Sequence, residues 1–493
     1  MPRSKALSHT TIYALGNVIS NIVSIVMLPI YTRYLTPADY GVAELLNMAL
    51  DIFGILIGMR VGQAMFRYYT HAESPKEAKQ VISTALWISV FLNTTAFAVI
   101  LIFSTDITTM MFDDTHYERL LILYGITLIC QALIEVPLIY LRAVEKPWLF
   151  FFFGVLKLVL QVSLNIYFVV YLELHVAGVV YSALISLLIM AAILTTYTIY
   201  HTGLSFSRPI AKLLVNFSFP ILLTTVGSFV MTYGDRFYLQ KTFSVSEVGI
   251  YALAYKFGFM MMILSWTPFS LVWDTIRYEI YRRDNAIKSF QQMFMYVTLG
   301  TVTIGIGLAL YVKPVIQIMA APEFHSAAEI APIVLIAYLF FAWTNYCNFG
   351  IYLKEKTKLM FYAEVIAVIA IVIAYSLIIP RYGAMGAAWA TVIGFLVRLV
   401  ATELYSVKLY DMKLPWLRAT ALMALAIAVY LLSYFSPEGW LLSVAYRTLL
   451  VVVFFAAVYV LPILQKEEKT EVLLTVTAVL KKIPLFNKAA GTS

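Results

Sequence analysis

Apolar blocks of about twenty residues recur along almost the whole chain, separated by short polar turns, and no other feature limits the possible folds so severely. A helix rising ~1.5 Å per residue needs about twenty residues to cross a ~30 Å hydrocarbon layer. Backbone amides in lipid must bond within the protein, so blocks of this kind are helices. They fall at 10–31, 41–65, 81–103, 119–141, 148–172, 176–200, 213–234, 248–273, 289–312, 328–352, 359–380, 384–406, 416–434 and 442–464. The pattern predicts an all-α polytopic membrane protein of about fourteen transmembrane helices. With 62% hydrophobic and 13% charged residues among 493, and a mean hydropathy of +0.85, no soluble core could absorb the apolar side chains.

The net charge of +8 would suggest a nucleic-acid partner in a soluble protein. Here it reads as topology, with no nucleic acid implied. Of the 35 Lys and Arg, the odd-to-even connections carry six, and the N-terminus, even-to-odd connections and C-terminal tail carry 24. That bias places both termini in the cytoplasm, in a plasma (inner) membrane. The first block runs into Tyr31, Thr32 and Arg33 rather than a small-residue cleavage site, so it reads as a retained span. Cys130 and Cys347 both lie in apolar stretches, which leaves no disulfide framework, no zinc motif and no redox cofactor. The longest clearly polar loop, Phe66 to Gln80, has 15 residues and cannot hold a catalytic domain. After Lys466, the run "EVLLTVTAVL" between lysines predicts a helix lying on the membrane surface.

Sliding the chain against itself by about 208 residues aligns Gly41 with Gly249, and "VAGVVYSALI" from Val176 with "AMGAAWATVI" from Ala384. "IYLRAVEKPWLFF" from Ile139 meets "IYLKEKTKLMF" from Ile351 with a small gap, and Arg67–Tyr68 meet Arg277–Tyr278. The shift covers six helices, an even number, so the copies share one orientation about an axis along the membrane normal. This predicts a six-helix lobe over 1–205 and a second over 206–410. Two additional helices follow over 411–465, with a tail over 466–493. Paired repeats of this kind are the usual frame for alternating access about a midplane site.

Ionisable groups inside spans are costly and mark candidate sites. Lys157, Gln161 and Asn165 stand at i, i+4 and i+8 on one face of the fifth span, a place for a substrate or an interhelical bond. The same positions in the second copy, Val365, Ile369 and Ile373, are apolar. Lys256 stands among Tyr251, Tyr255 and Phe259, while Thr391, Gly394, Arg398 and Thr402 share a face of the twelfth span. Arg60 either faces a lumen or snorkels to the headgroups, and Arg447 reads as snorkelling. A basic cavity suits an anion, and phosphate is one that separated Lys and Arg groups hold well. Glu44, Asn47 and Asp51 share a face of the second span, either to couple Na⁺ or a proton or to pair with Arg60 or a neighbouring lysine. Asp235 and Arg236 read as a structural pair or lumen rim, and Asp274 and Glu364 as inter-helix pairing. No histidine relay, hydrolase, protease or nucleotide-binding fingerprint occurs, so the chain is expected to be no enzyme, and any transport to be secondary.

The segment "LPIYTRYLTPADYGVAELL" from Leu28 resembles the first inter-helix signature of polysaccharide biosynthesis proteins in the multidrug, oligosaccharidyl-lipid and polysaccharide (MOP) exporter superfamily. "GDRFYLQKTFSVSEVGIYALAYKF" from Gly234 is similar to the signature opening the second lobe. The resemblance covers essentially the whole chain and implies a MATE-like fold. It also implies an O-antigen or exopolysaccharide flippase of the Wzx type, moving an undecaprenyl-diphosphate-linked oligosaccharide between leaflets for surface polysaccharide and lipopolysaccharide synthesis. In such proteins a cationic lumen takes the diphosphate and sugars while the lipid tail stays in the bilayer; Lys157, Lys256 and Arg398 fit that role. Partners so implied are the lipid-linked oligosaccharide, membrane lipid, Na⁺ or H⁺, and the polysaccharide polymerase machinery.

One rival is a cation-coupled multidrug extruder, which usually carries an acid in its first span. Here that span offers Asn17, Ser20, Asn21 and Ser24. A peptidoglycan-precursor flippase differs only in substrate. An integral-membrane polysaccharide enzyme would need a sizeable loop, and a scaffold without transport would leave the midplane charges without a reason.

Overall fold

The computed structural model describes residues 26–58 and 61–471. Among them there is no strand. Residues 26–34 are helical. There follow α1 (Pro37–Leu56), α2 (Val61–Thr70), α3 (Pro75–Ile102), α4 (Ser104–Phe112), α5 (Glu118–Ala143), α6 (Pro147–Asn165), α7 (His175–Thr202) and α8 (Arg208–Thr242). Then come α9 (Val245–Leu264), α10 (Trp266–Tyr281), α11 (Ala286–Met319), α12 (Ala327–Cys347), α13 (Phe349–Leu353), α14 (Lys358–Val407), α15 (Trp416–Leu432) and α16 (Trp440–Val460).

Ten described helical segments are long and apolar enough to cross a membrane, or eleven if the bent pair α1 and α2 forms one span. The expected fourteen differ from these for stated reasons. Most of the first span, with Asn17, Ser20, Asn21 and Ser24, lies outside the described residues, as do Arg60 and the tail after Glu471. The helix α8 occupies the seventh expected span but is not among the ten. The 50-residue α14 counts once although it breaks at Gly383, whose φ of 55° lies in the left-handed region glycine tolerates. That break falls between the spans expected at 359–380 and 384–406.

The motif around Leu35–Gly41 has a physical purpose. Thr36 caps α1 by accepting from the Asp39 amide at 3.1 Å, while the Asp39 carboxylate accepts from the Thr36 amide, and Pro37 supplies a preset φ at the first helical position. The side-chain half of this cap recurs 208 residues later, where Ser244 Oγ accepts from the Glu247 amide at 3.2 Å at the start of α9.

Five residues beyond each cap stands a glycine, and the two helices cross there. A methyl group built on Gly41 would lie 2.0 Å from the Val245 carbonyl oxygen, and one on Gly249 would lie 2.0 Å from that of Pro37. The contact is reciprocal, since Pro37 and Val245 are also 208 apart. Arg33 and Lys241, with the same separation, each reach to distant sequence: Arg33 Nη2 donates to the Ile318 carbonyl at 2.8 Å, and Lys241 Nζ lies 3.1 Å from Asp113.

The chain packs as two compact units, each drawn from separated stretches. The first comprises Met1–Lys256, Ile316–Val334 and Phe361–Ala401. In it α5 packs on α3 and α7, and α2 on α3 and α8. One apolar core gathers Met65, Ile82, Leu86, Val136 and Leu214; another gathers Ile134, Phe153, Leu187 and Leu194. The second unit comprises Phe257–Val315, Leu335–Met360 and Thr402–Ser493. Its interior is aromatic: Trp273 stacks on Tyr346 at 4.2 Å, and Trp343 donates from Nε1 to Thr298 Oγ1 at 3.0 Å. Arg447 does not snorkel. It is 5% exposed and its guanidinium donates to the Leu310 carbonyl and to Ser443 Oγ, because its place on α16 faces α11 rather than a helix end.

Candidate functional site

The polar interior of the first unit grows from the α1–α9 crossing. Lys256 lies two turns beyond Gly249, ~10 Å along α9, where the helices no longer need glycine spacing. Its Nζ lies 2.9 Å from Glu44 Oε1. Two of the sequence candidates are thus partners, one proposed for the substrate anion and the other for a coupling ion.

Beside α9, on α8, is a tyrosine-walled ion pair. Arg236 Nη1 lies 3.0 Å from Asp235 Oδ1 and donates to the Thr232 carbonyl at 2.9 Å. Tyr251 donates to Asp235 Oδ2 at 2.5 Å, and Thr391 Oγ1 lies 3.4 Å from the same oxygen. The guanidinium lies within cation–π range of Tyr233, Tyr251 and Tyr255, at 4.9, 5.6 and 4.7 Å. Both charges are buried, at 0% and 1% exposure, so the pair is shut away from water.

The fifth-span stripe meets α7. Gln161 Oε1 accepts from Ser186 Oγ at 2.6 Å, and Asn165 Oδ1 accepts from Ser182 Oγ at 2.7 Å. The helices run antiparallel, so the next rung sets Lys157 against position 190, which is buried Met190. The zipper gives two amides hydroxyl partners and gives the cation none. Lys157 makes no ion pair with any described residue and is only partly exposed.

Other candidates fall elsewhere. Arg398 Nε pairs with Glu364 Oε2 at 2.8 Å, and Glu364 also accepts from Ser228 Oγ at 2.9 Å. Among the described residues no hydrogen bond or ion pair joins any two of Lys157, Lys256 and Arg398. The acidic face of α1 divides three ways. Glu44 meets Lys256, Asn47 accepts from the Tyr124 hydroxyl at 2.5 Å, and Asp51 lines a cavity with Glu135 and Gln131 of α5. Arg60 lies outside the described residues. Sequence reasoning overlooked Gln131 and Glu135, although polar residues four apart inside an apolar block were the available signal.

Long apolar helices with ion pairs and a lysine at membrane depth describe a multi-pass membrane protein, and its fold is similar to those of solved transporter structures. It matches a structure described as the lipid II flippase MurJ in an inward closed conformation, with a TM-score of 0.69 and 16% identity over 91% of this chain and 98% of that one. It also matches an inward-facing multidrug MATE transporter of the MOP superfamily, at a TM-score of 0.62 and 16% identity over 80% of this chain and 95% of that one. Residues 30–329 match the polysaccharide biosynthesis protein family, and the chain belongs to it. A relative from Shigella flexneri, whose description ascribes O-antigen transport to it, is 23% identical over 391 residues, 76% of this chain and 91% of its own.

Proposed function

We propose that the protein is a flippase. It carries undecaprenyl-diphosphate-linked oligosaccharide repeat units from the cytoplasmic to the periplasmic leaflet of the inner membrane, for surface polysaccharide assembly. Two six-helix lobes, 1–205 and 206–410, would alternate access about a midplane site, with both termini cytoplasmic and a polymerase receiving the product. The observation that carries this reading is Lys157, the one member of the α6 stripe set opposite an apolar residue. A cation left without an ion-pair partner among the described residues at that depth needs an anion, and a diphosphate passing between leaflets supplies one. The family match and the Shigella relative's description support the same substrate class.

The test replaces Lys157, Lys256 and Arg398 singly by alanine in a strain lacking its own flippase and measures surface glycan. Lys157→Ala is expected to lower it about ten- to hundredfold, the effect of losing a charge-assisted hydrogen bond. Full activity in all three variants would overturn the reading. Energy comes, in this proposal, from a Na⁺ or H⁺ gradient. Glu44 is the coupling acid, exchanging Lys256 for the cation during the cycle. Glu44→Gln is then expected to abolish the response of transport in proteoliposomes to an imposed gradient; an unchanged response removes Glu44 from coupling.

A further inference from the structure

Residues 466–471 are the last described helix, and they lie in the second unit with α11 and α15. Their three glutamates face two ways. Glu468 is 1% exposed; one of its carboxylate oxygens accepts from the Arg418 guanidinium on α15 and, at 2.7 Å, from the Gln465 amide. Arg418 Nε also donates to the Ile463 carbonyl at 2.7 Å, so the root of the tail is fixed to α15 from the inside. Glu467 and Glu471 turn to α11 instead. Glu467 Oε2 lies 2.7 Å from Lys288 Nζ and accepts from Gln292 Nε2 at 3.4 Å, and Glu471 accepts from the Tyr296 hydroxyl. This second contact is open to water, with the Lys288 and Glu467 side chains 55% and 63% exposed. Exposed pairs contribute little to stability and are screened by salt, so the face of α11 can be uncovered while the root stays in place.

Lys288, Gln292 and Tyr296 stand at i, i+4 and i+8 and set an ammonium, a carboxamide N–H and a phenol along one face of α11. All three donate, and the oxygens they meet here belong to carboxylates. Phosphate oxygens are the other anionic acceptors that such a row fits. Lys288 also stands in a first turn that carries no acid, at the positive end of α11, where an anion is favoured.

Depth narrows the source of that phosphate. Lys288 immediately precedes the span expected at 289–312, and Tyr296 lies ~12 Å farther along the helix axis. The row therefore begins in the headgroup layer and enters the edge of the hydrocarbon, a depth at which a lipid holds its phosphodiester and a free phosphate does not stay. Charge on the rest of the tail points the same way. Beyond Glu471 the sequence carries Lys481, Lys482 and Lys488, and an anionic leaflet attracts such lysines. The same leaflet offers phosphate to α11, so both halves of an exchange are driven together; a neutral leaflet drives neither.

We propose that Lys288, Gln292 and Tyr296 form a site for the phosphate of an anionic phospholipid, and that Glu467 and Glu471 occupy it as an internal competitor. The membrane side of this edge is taken from the flippase reading, to which the site adds a contact controlled by lipid composition. The Arg418–Glu468 pair keeps the root of the tail attached while its outer face exchanges carboxylate for phosphate.

The test titrates the purified full-length protein in detergent with short-chain phosphatidylglycerol and follows binding by thermophoresis. Phosphatidylcholine of the same chain length, inorganic phosphate and undecaprenyl diphosphate are the comparison probes. The native protein is expected to bind phosphatidylglycerol more tightly than any of the three. Glu467→Ala with Glu471→Ala is expected to raise that affinity about three- to tenfold, because apparent affinity follows the fraction of time a site stands free. Lys288→Ala with Gln292→Ala is expected to lower it about tenfold, the effect of losing a charge-assisted hydrogen bond. Glu279→Ala with Asp284→Ala removes two exposed acids near the start of α11, for the same change in net charge, and is expected to leave the affinity unchanged. None of the six substituted side chains is buried, so the variants keep the core. A gain in this control as large as in the tail variant overturns the site, as does an unchanged affinity after replacing Lys288 and Gln292. Inorganic phosphate binding as tightly as phosphatidylglycerol overturns the lipid source. Undecaprenyl diphosphate binding more tightly, with the same dependence on Lys288, gives the site to the transported lipid and overturns the phospholipid. Each of these failures leaves the flippase reading standing.

Discussion

Asp235→Ala is expected to destabilise the protein by about 3–5 kcal/mol, because it strands the Arg236 guanidinium in a site from which water is excluded. The loss extends beyond the Coulomb attraction, since Tyr251 also loses the carboxylate oxygen that its hydroxyl reaches at 2.5 Å. Removing both charges is another matter. Asp235→Leu with Arg236→Met replaces the pair with apolar volume among Tyr233, Tyr251 and Tyr255, and such exchanges are often close to neutral. The double variant should therefore recover most of the stability that the single one loses. Thermal unfolding in detergent, followed by tryptophan fluorescence, measures both; an unmoved midpoint for Asp235→Ala would contradict the buried pair.

Gly41→Ala or Gly249→Ala should force α1 and α9 apart. In each case the added carbon meets a backbone carbonyl oxygen at 2.0 Å, and a backbone cannot yield by changing rotamer. Overpacking at such a contact costs about 1–3 kcal/mol, more than the ~1 kcal/mol that alanine gains over glycine in a helix. The separation should also disturb the Glu44–Lys256 pair two turns inside the crossing, so transport falls with stability. Because one displacement relieves both clashes, the double variant should lose less than the sum of the singles. Gly154→Ala and Gly300→Ala, where an added methyl meets nothing within 4 Å, are the controls. Variants at Gly41 and Gly249 that behave like these controls would contradict the crossing.

Hydropathy alone conveyed most of the helices but not where they begin, since the second span reads from residue 41 whereas the Thr36 cap starts α1 at Pro37. The face shared by Lys157, Gln161 and Asn165 was equally legible, because helical spacing is a property of one segment. Its partners were not. Ser182 and Ser186 look like ordinary small residues of an apolar helix until α7 is laid against α6. The same holds for Glu44 with Lys256, which are far apart in sequence, and for Arg398 with Glu364. A charge inside a span announces that it has a partner without naming it. The face of Glu44, Asn47 and Asp51 looked like one site because it is one stripe, yet successive turns of α1 meet α9, α5 and the cavity in succession. Arg447 was misread because nearness to a span end says little about what a neighbouring helix offers, here the Leu310 carbonyl.

In a contact between two identical chains about a two-fold axis, residue i of one touches residue j of the other, and j touches i in return. Gly41 with Val245 and Gly249 with Pro37 obey that rule within a single polypeptide, so the α1–α9 junction has the form of a homodimer seam preserved inside one chain. A true homodimer would have to repeat every feature on both sides of that seam. This chain does not: the positions matching Glu44 and Lys256 are Ala252 and Met48. Joining the halves covalently therefore permits what symmetry forbids, an acid contributed by one half facing a base contributed only by the other.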